Sequence, residues 1–260
     1  MRELFAIDRM PAEDAPEAAF GEELPDTDLG GVRFAMKRSG RYDASGFIEG
    51  QFEPGSQRRV LRNLIGIKRK WEMDTVESNE LVRAFRKILG VYDKNHRFTA
   101  ADLCAMHREW LGSIYEWAGQ YRQVNLAKGN FTFAAAHVIP GLMVEFEHQY
   151  LTAYTPCRMA ARNEIIHTLA AVHVELLLIH PFREGNGRLA RMLASLMAFQ
   201  AELPPLDFGM VKGRKKQEYF IAVQDGLDRN YGPMEKVFDE VIERTLRLRK
   251  QSFRSDSSGL

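Results

Sequence analysis

From Ser56 onward, apolar residues recur three and four positions apart: Val60-Leu61, Leu64-Ile65, Leu81-Val82, Phe85 and Ile88-Leu89. That spacing lines one face of a helix and predicts that a helical region begins there. Asp102 to Tyr115 repeats the pattern with Leu103, Met106, His107, Trp110, Leu111 and Ile114, entered through the cap candidate Thr99. Within this stripe His107 reads as a hydrogen-bonded core histidine rather than a ligand. Ala160 to Ile179 is apolar nearly all round, and Leu189 to Phe199 is interrupted only by Arg191 and Ser195. Both read as central buried helices. Tyr219–Leu227 and Met234–Leu248 predict two more. Only Gln123–Leu126 and Asn130–Phe133 look like paired strands, joined through Ala127-Lys128-Gly129. The expected fold class is all-α with one β-hairpin.

Residues 1–40 lack this periodicity. Between Met1 and Gly30 they carry nine acidic and two basic residues, and they read as a mobile, partly disordered N-terminal extension. The remaining divisions are a helical region over 41–98, a core domain over 99–248 and a basic tail over 249–260. With 45% hydrophobic and 27% charged residues, the chain has enough apolar material for a sizeable core.

A formal net charge of +1 gives no global field toward nucleic acid or acidic lipid. The local basic groups, Lys212, Arg214, Lys215 and Lys216, and Arg244, Arg247, Arg249, Lys250 and Arg254, read as solvated helix faces. Neither nucleic acid nor membrane is expected as a partner. Cys104 and Cys157 have no CxxC partner, which excludes a disulfide framework or structural zinc site from the reading. Without a signal-peptide-like start or a long apolar run, the expected location is cytoplasmic.

Between the two central helices lies His180-Pro181-Phe182-Arg183-Glu184-Gly185-Asn186-Gly187-Arg188, followed by Arg191. A loop between buried helices that holds a histidine, a carboxylate, glycines and arginines points to chemistry. Gly185 and Gly187 let backbone N–H groups and the next helix N-terminus surround an anion. Arg188 and Arg191, three apart, can share one polyphosphate. Glu184 offers a hard oxygen to Mg²⁺. His180 can take a proton from an attacking hydroxyl.

These residues fill every specified position of HxFx(D/E)GNGRxxR, and the chain resembles the Fic (filamentation-induced-by-cAMP) family. Asn63-Leu64-Ile65-Gly66-Ile67, read as a helix start, and Tyr115-Glu116-Trp117-Ala118-Gly119 extend the likeness. The resemblance implies a Fic-type helical core and an adenylyltransferase that moves AMP from Mg²⁺–ATP to a protein Ser, Thr or Tyr hydroxyl. It makes His180 the base, Glu184 the Mg²⁺ ligand, Gly185, Asn186 and Gly187 the anion nest, and Arg188 and Arg191 the holders of the outer phosphates. Tyr219 and Asn230 fall near the adenine pocket, with Leu227 where a family-typical Asn is expected. The hairpin resembles a flap that docks the target, with Lys128, Gly129 and Phe131 as its contacts. Gly187 stands where kinase-like relatives carry Lys, which favours transfer of AMP over phosphate.

Ser45-Gly46-Phe47-Ile48-Glu49-Gly50 fits the family's inhibitory pattern (S/T)xxxE(G/N), with Glu49 lying 131 positions before His180. It implies a brake in which Glu49 pairs with Arg191. Partners implied are a protein bearing the acceptor hydroxyl, the chain itself, and a second copy in a homodimer. Removal of AMP, a nucleotide-sensing module with little turnover, and a metalloprotein using His180 and Glu184 stand as alternatives.

Overall fold

The computed structural model describes residues 46–257 and the two-residue strand β1, Ala18–Ala19. Ser45 of the expected inhibitory motif, and the expected extension 1–40 apart from Ala18–Ala19, lie outside the described residues. The described part is predominantly helical, as expected. A single 3₁₀ turn, Ile48–Gly50, carries Glu49. The chain then runs irregularly to Arg69, and the first α-helix, α1, is Lys70–Val91. The apolar spacing over Val60–Ile67 therefore misled. Phe52 and Leu61 form an isolated bridge, and Asn63 closes the segment on itself: its Oδ1 accepts from Ile67 N at 2.9 Å and its Nδ2 donates to Leu61 O at 3.0 Å. An Asn side chain that satisfies backbone groups locally competes with helix formation.

Helix α2, Ala100–Leu111, opens on a capping box: Thr99 Oγ1 accepts from Asp102 N at 3.1 Å, and Asp102 Oδ2 from Thr99 N at 2.9 Å. Strands β2 (Leu126–Lys128) and β3 (Phe131–Thr132) form the hairpin, shifted from its expected bounds. Lys128 pairs with Phe131, so the turn is Gly129-Asn130, and Gly129 at φ +56° supplies the left-handed backbone. β1 lies antiparallel to β2, giving the order β1-β2-β3.

Helix α3, Ile139–Phe146, continues through a π-helical turn, Glu147–Leu151, into α4, Thr152–Tyr154. Then follow α5 (Arg162–Ile179), α6 (Asn186–Gln200), α7 (Arg214–Asp225) and α8 (Gly232–Ser257). The expected tail at 249–260 is thus helical through Ser257. Helices α5 and α6 form the centre, buried nearly all round; α8 and α7 pack on α5, and α2 on α6. The six-residue connection 180–185 between the two central helices sits in the core, with Phe182 fully buried.

Candidate active site

Helix α5 ends at His180, whose backbone is left-handed at φ 53°, ψ 59°. A non-glycine residue in this region costs roughly 1–2 kcal/mol and needs surrounding structure to hold it. His180 Nδ1–H donates to Leu177 O at 3.0 Å, which leaves Nε2 as the basic nitrogen. The ring stacks on Phe133, just beyond β3, with centroids 3.7 Å apart. A flap residue therefore fixes one face of the imidazole.

Gly185 caps α6 at φ +82°, and a Cβ there would stand 2.6 Å from the Trp110 ring. Both backbone conformation and space demand glycine. The first N–H groups of α6 have no partner within the helix, so they form an anion-seeking end. The Asn186 side chain has a task besides the backbone's expected place in the nest. Its side chain braces the loop, Oδ1 accepting from Phe182 N at 2.9 Å and Nδ2 donating to Phe182 O at 2.8 Å.

His107 is the core histidine that its stripe suggested, and it has a task. Gly119 N–H donates to its Nδ1 at 2.8 Å, so Nε2–H donates to Glu184 O at 3.0 Å, while the ring stacks on Phe182 at 4.0 Å. Burial pushes its pKa down to about 4. A neutral imidazole thus holds the loop backbone.

The arginines part company. Arg188 turns under the loop, where Nη2 donates to Glu77 Oε2 at 2.7 Å and the guanidinium lies over Trp110 at 4.6 Å. Glu77 also accepts from Tyr115 Oη at 2.6 Å. Arg188 does not line the cavity where a phosphate holder was expected, and its Nη2 also lies 3.5 Å from Glu184 Oε1. Arg191 does line it. Arg191 is 4% exposed, and its Nε and Nη2 have no hydrogen-bond partner.

That cavity, of about 260 Å³, is bounded by His180, Gly187 and Arg191 on one side. Leu177, Val211, Tyr219, Phe220 and Val223 make an apolar slot, and Lys128, Gly129 and Phe131 close it from the hairpin. Lys128 Nζ reaches across to the Phe220 ring, 4.1 Å away. The three hairpin residues expected to face a target therefore face the cavity. Tyr219 lines the cavity, its hydroxyl on His173 Nε2 at 2.5 Å. Asn230 is exposed and Leu227 is 65% exposed, and neither lines the cavity.

Glu184 is 6% exposed and accepts from Gly185 N at 3.0 Å. Among the described residues no group of three or more His, Cys, Asp or Glu gathers. A lone carboxylate beside an anion-seeking helix end fits Mg²⁺ shared with phosphate oxygens, and it does not fit an all-protein metal cage.

Glu49 is not where the brake requires it. Its Oε1 accepts from Gln123 N and its backbone oxygen from Arg183 Nε at 2.9 Å. Burial raises its pKa above the ordinary carboxylate value, against the opposing pull of the backbone bonds to Gln123 and Val124 and of the Arg183 and Arg122 charges, and Arg191 is not among its partners. The Glu49–Arg191 pair is absent because the 3₁₀ turn seats the carboxylate at the foot of the hairpin.

The family model for the Fic/DOC family matches residues 97–198, the span that holds α2, the hairpin, the loop and nearly all of α6. This span is a Fic domain. The chain is 33% identical over 143 residues to the protein adenylyltransferase VbhT of Bartonella schoenbuchensis, covering 55% of this chain and 29% of that protein. It is 32% identical over 104 residues to a probable protein adenylyltransferase Fic of Salmonella typhimurium, covering 38% of this chain and 49% of that protein. The chain thus spans less than half the length of either relative. BepC of Bartonella tribocorum, solved with bound AMPPNP, superposes with a TM-score of 0.59 at 21% identity, covering 74% of this chain and 96% of that one. A Fic domain of Bartonella quintana with bound ADP gives 0.59 at 24% identity, covering 73% and 92%. These two likenesses speak for the fold. Arg122, Phe133, Glu77 and Phe220 went unassigned from sequence; each is a single residue whose partner is distant along the chain.

Proposed function

We propose that this Fic domain transfers AMP from ATP to a hydroxyl of a protein. The observation that carries the reading is Arg191: a guanidinium almost wholly buried at a cavity wall, with two nitrogens unpartnered, beside the N-terminus of α6 and His180. An uncompensated buried cation costs several kcal/mol, and an anionic ligand offsets that cost. The apolar slot of Tyr219, Phe220 and Val223 suits a flat base next to the phosphates.

In the proposed reaction the acceptor oxygen attacks the α-phosphorus, the bond from that phosphorus to the bridging oxygen breaks, and pyrophosphate leaves. The hydroxyl proton passes to Nε2 of His180, which Leu177 O and Phe133 hold in one tautomer and one plane. The α6 end and Arg191 bind the polyphosphate, and Gly187 leaves it room. Mg²⁺, when bound at Glu184 with the phosphates, supplies neutralisation of developing negative charge. The β2 edge is paired with Ala18–Ala19, so a target strand joining the hairpin is assigned to the β3 edge. A brake through a Glu49–Arg191 pair is not part of this reading.

The test is incorporation of label from α-labelled ATP into proteins of a lysate and into the chain itself. His180→Ala is expected to abolish labelling while ATP affinity stays within about threefold, because the phosphates are held by other groups. Labelling that persists in His180→Ala sinks the reading.

A further inference from the structure

Arg122 is 1% exposed and lies where the chain enters the hairpin. Its guanidinium donates to three separate parts of the fold. Nε reaches His180 O at 2.7 Å, Nη1 reaches Val124 O at 2.7 Å before β2, and Nη2 reaches Ala134 O at 2.6 Å after β3. Its own N–H donates to Pro181 O at 2.9 Å. These side-chain acceptors are backbone carbonyls, two from the legs of the hairpin and one from the residue that carries the base, and Nη2 also reaches Ile179 O, the last residue of α5, at 3.4 Å.

Two facts make this more than packing. His180 is held in a left-handed backbone that it would leave if its carbonyl were released, and its ring direction depends on that backbone. The ring also stacks on Phe133, one residue before the Ala134 carbonyl that Arg122 binds. One rigid fork therefore fixes the backbone of His180, the strand end that covers its ring, and the opposite leg of the hairpin. Only arginine has donors spread in a fixed plane for such a task; a lysine nitrogen serves one place at a time. Glu49, on the adjacent Gln123 N–H, supplies counter-charge.

We propose that Arg122 is a positioning residue that registers the hairpin against His180, so that the flap and the base move as one unit. The inference rests on the reading of His180 as the base, but its test does not need turnover. The unaltered chain and Arg122→Lys are compared by three measurements. These are nitrogen NMR of histidine-labelled protein for the His180 tautomer, hydrogen exchange over residues 124–134 and over α6, and titration with ATP.

In Arg122→Lys, His180 is expected to lose its single Nδ1–H tautomer, and exchange over 124–134 to rise about tenfold or more, with α6 unchanged. ATP affinity is expected to fall by less than about tenfold, because Arg191, Gly187 and the apolar slot keep their places while Lys128, Gly129 and Phe131 loosen with the hairpin. An unchanged tautomer, or a rise in exchange spread equally over α6, overturns the proposal.

If Arg122→Lys does not fold, the unaltered protein decides. The Arg122 Nε–H and Nη–H signals should be resolved and slow to exchange, whereas signals as averaged as those of exposed Arg214 overturn it. A failure of the proposed reaction itself shows separately, as absence of label in the incorporation assay.

Discussion

Arg188 Nη2 and Glu77 Oε2 are 2.7 Å apart, and their side chains are 4% and 3% exposed, so the loop rests on an ion pair sealed from water. Glu184 Oε1 lies 3.5 Å from the same nitrogen, so removing Glu77 leaves Arg188 with a weaker second carboxylate, and the about 3–5 kcal/mol typical of breaking a buried pair is an upper bound here. Glu77→Ala is therefore expected to lower unfolding stability by up to that amount, as read by urea denaturation. Glu77→Gln, which keeps one amide oxygen for Arg188 and turns an N–H toward the Tyr115 hydroxyl, which can accept it, should cost less. A loss under about 1 kcal/mol in Glu77→Ala would show that water reaches Arg188 in solution.

His107 and His173 are both fully buried and neutral, with burial pushing their pKa values from 6.5 down to about 4 and about 3. Folded values below the unfolded value mean that the unfolded chain binds more protons in acid. Their contribution to stability is present above pH 6.5 and is lost as pH falls toward those folded values. For His107 the gap corresponds to roughly 3 kcal/mol. Thermal midpoints should fall between pH 6.5 and 4. His107→Gln, which can accept from Gly119 N–H and donate to Glu184 O, should flatten the fall. A variant whose acid profile matches the unaltered chain would remove His107 from this role.

The segment 180–191 and the two helices around it were legible in the sequence, because a polar run set between two long apolar runs cannot be there to pack the core. The helical class and the existence of the hairpin were also legible. The hairpin's register was not: alternation permits more than one pairing, and only the Gly129-Asn130 turn selects Lys128 opposite Phe131. Arg188 and Arg191 looked equivalent since helical spacing shows a shared face, yet Glu77, 111 positions away, claims Arg188 alone. Asn230 was placed near the cavity by likeness to relatives, whereas the backbone after α7 leaves it in solvent. Arg122 gave no signal at all, because its acceptors are carbonyls that any residue would provide.

Glu49 separates two accounts of the segment 46–50. In this structure its carboxylate accepts from Gln123 N–H and its own carbonyl accepts from Arg183, so it fastens the foot of the hairpin. Burial raises its pKa above the usual 4.5, and this outweighs the backbone bond to Gln123 and the charge of Arg183, which pull it down. With a raised folded value, its contribution to stability is present below pH 4.5 and is lost as pH rises through that value. Glu49→Gln should then be at least as stable as the unaltered chain at pH 7 and lose that advantage near pH 4. Glu49→Gly should raise amide exchange at Gln123 by about tenfold or more, since its acceptor is gone. ATP affinity should change by less than about threefold, because the carboxylate does not compete for Arg191. The measurements are hydrogen exchange and ATP titration on the same samples. A tenfold gain in ATP affinity with unaltered exchange at Gln123 would place Glu49 on Arg191 in solution, and would restore the brake that its sequence pattern implied.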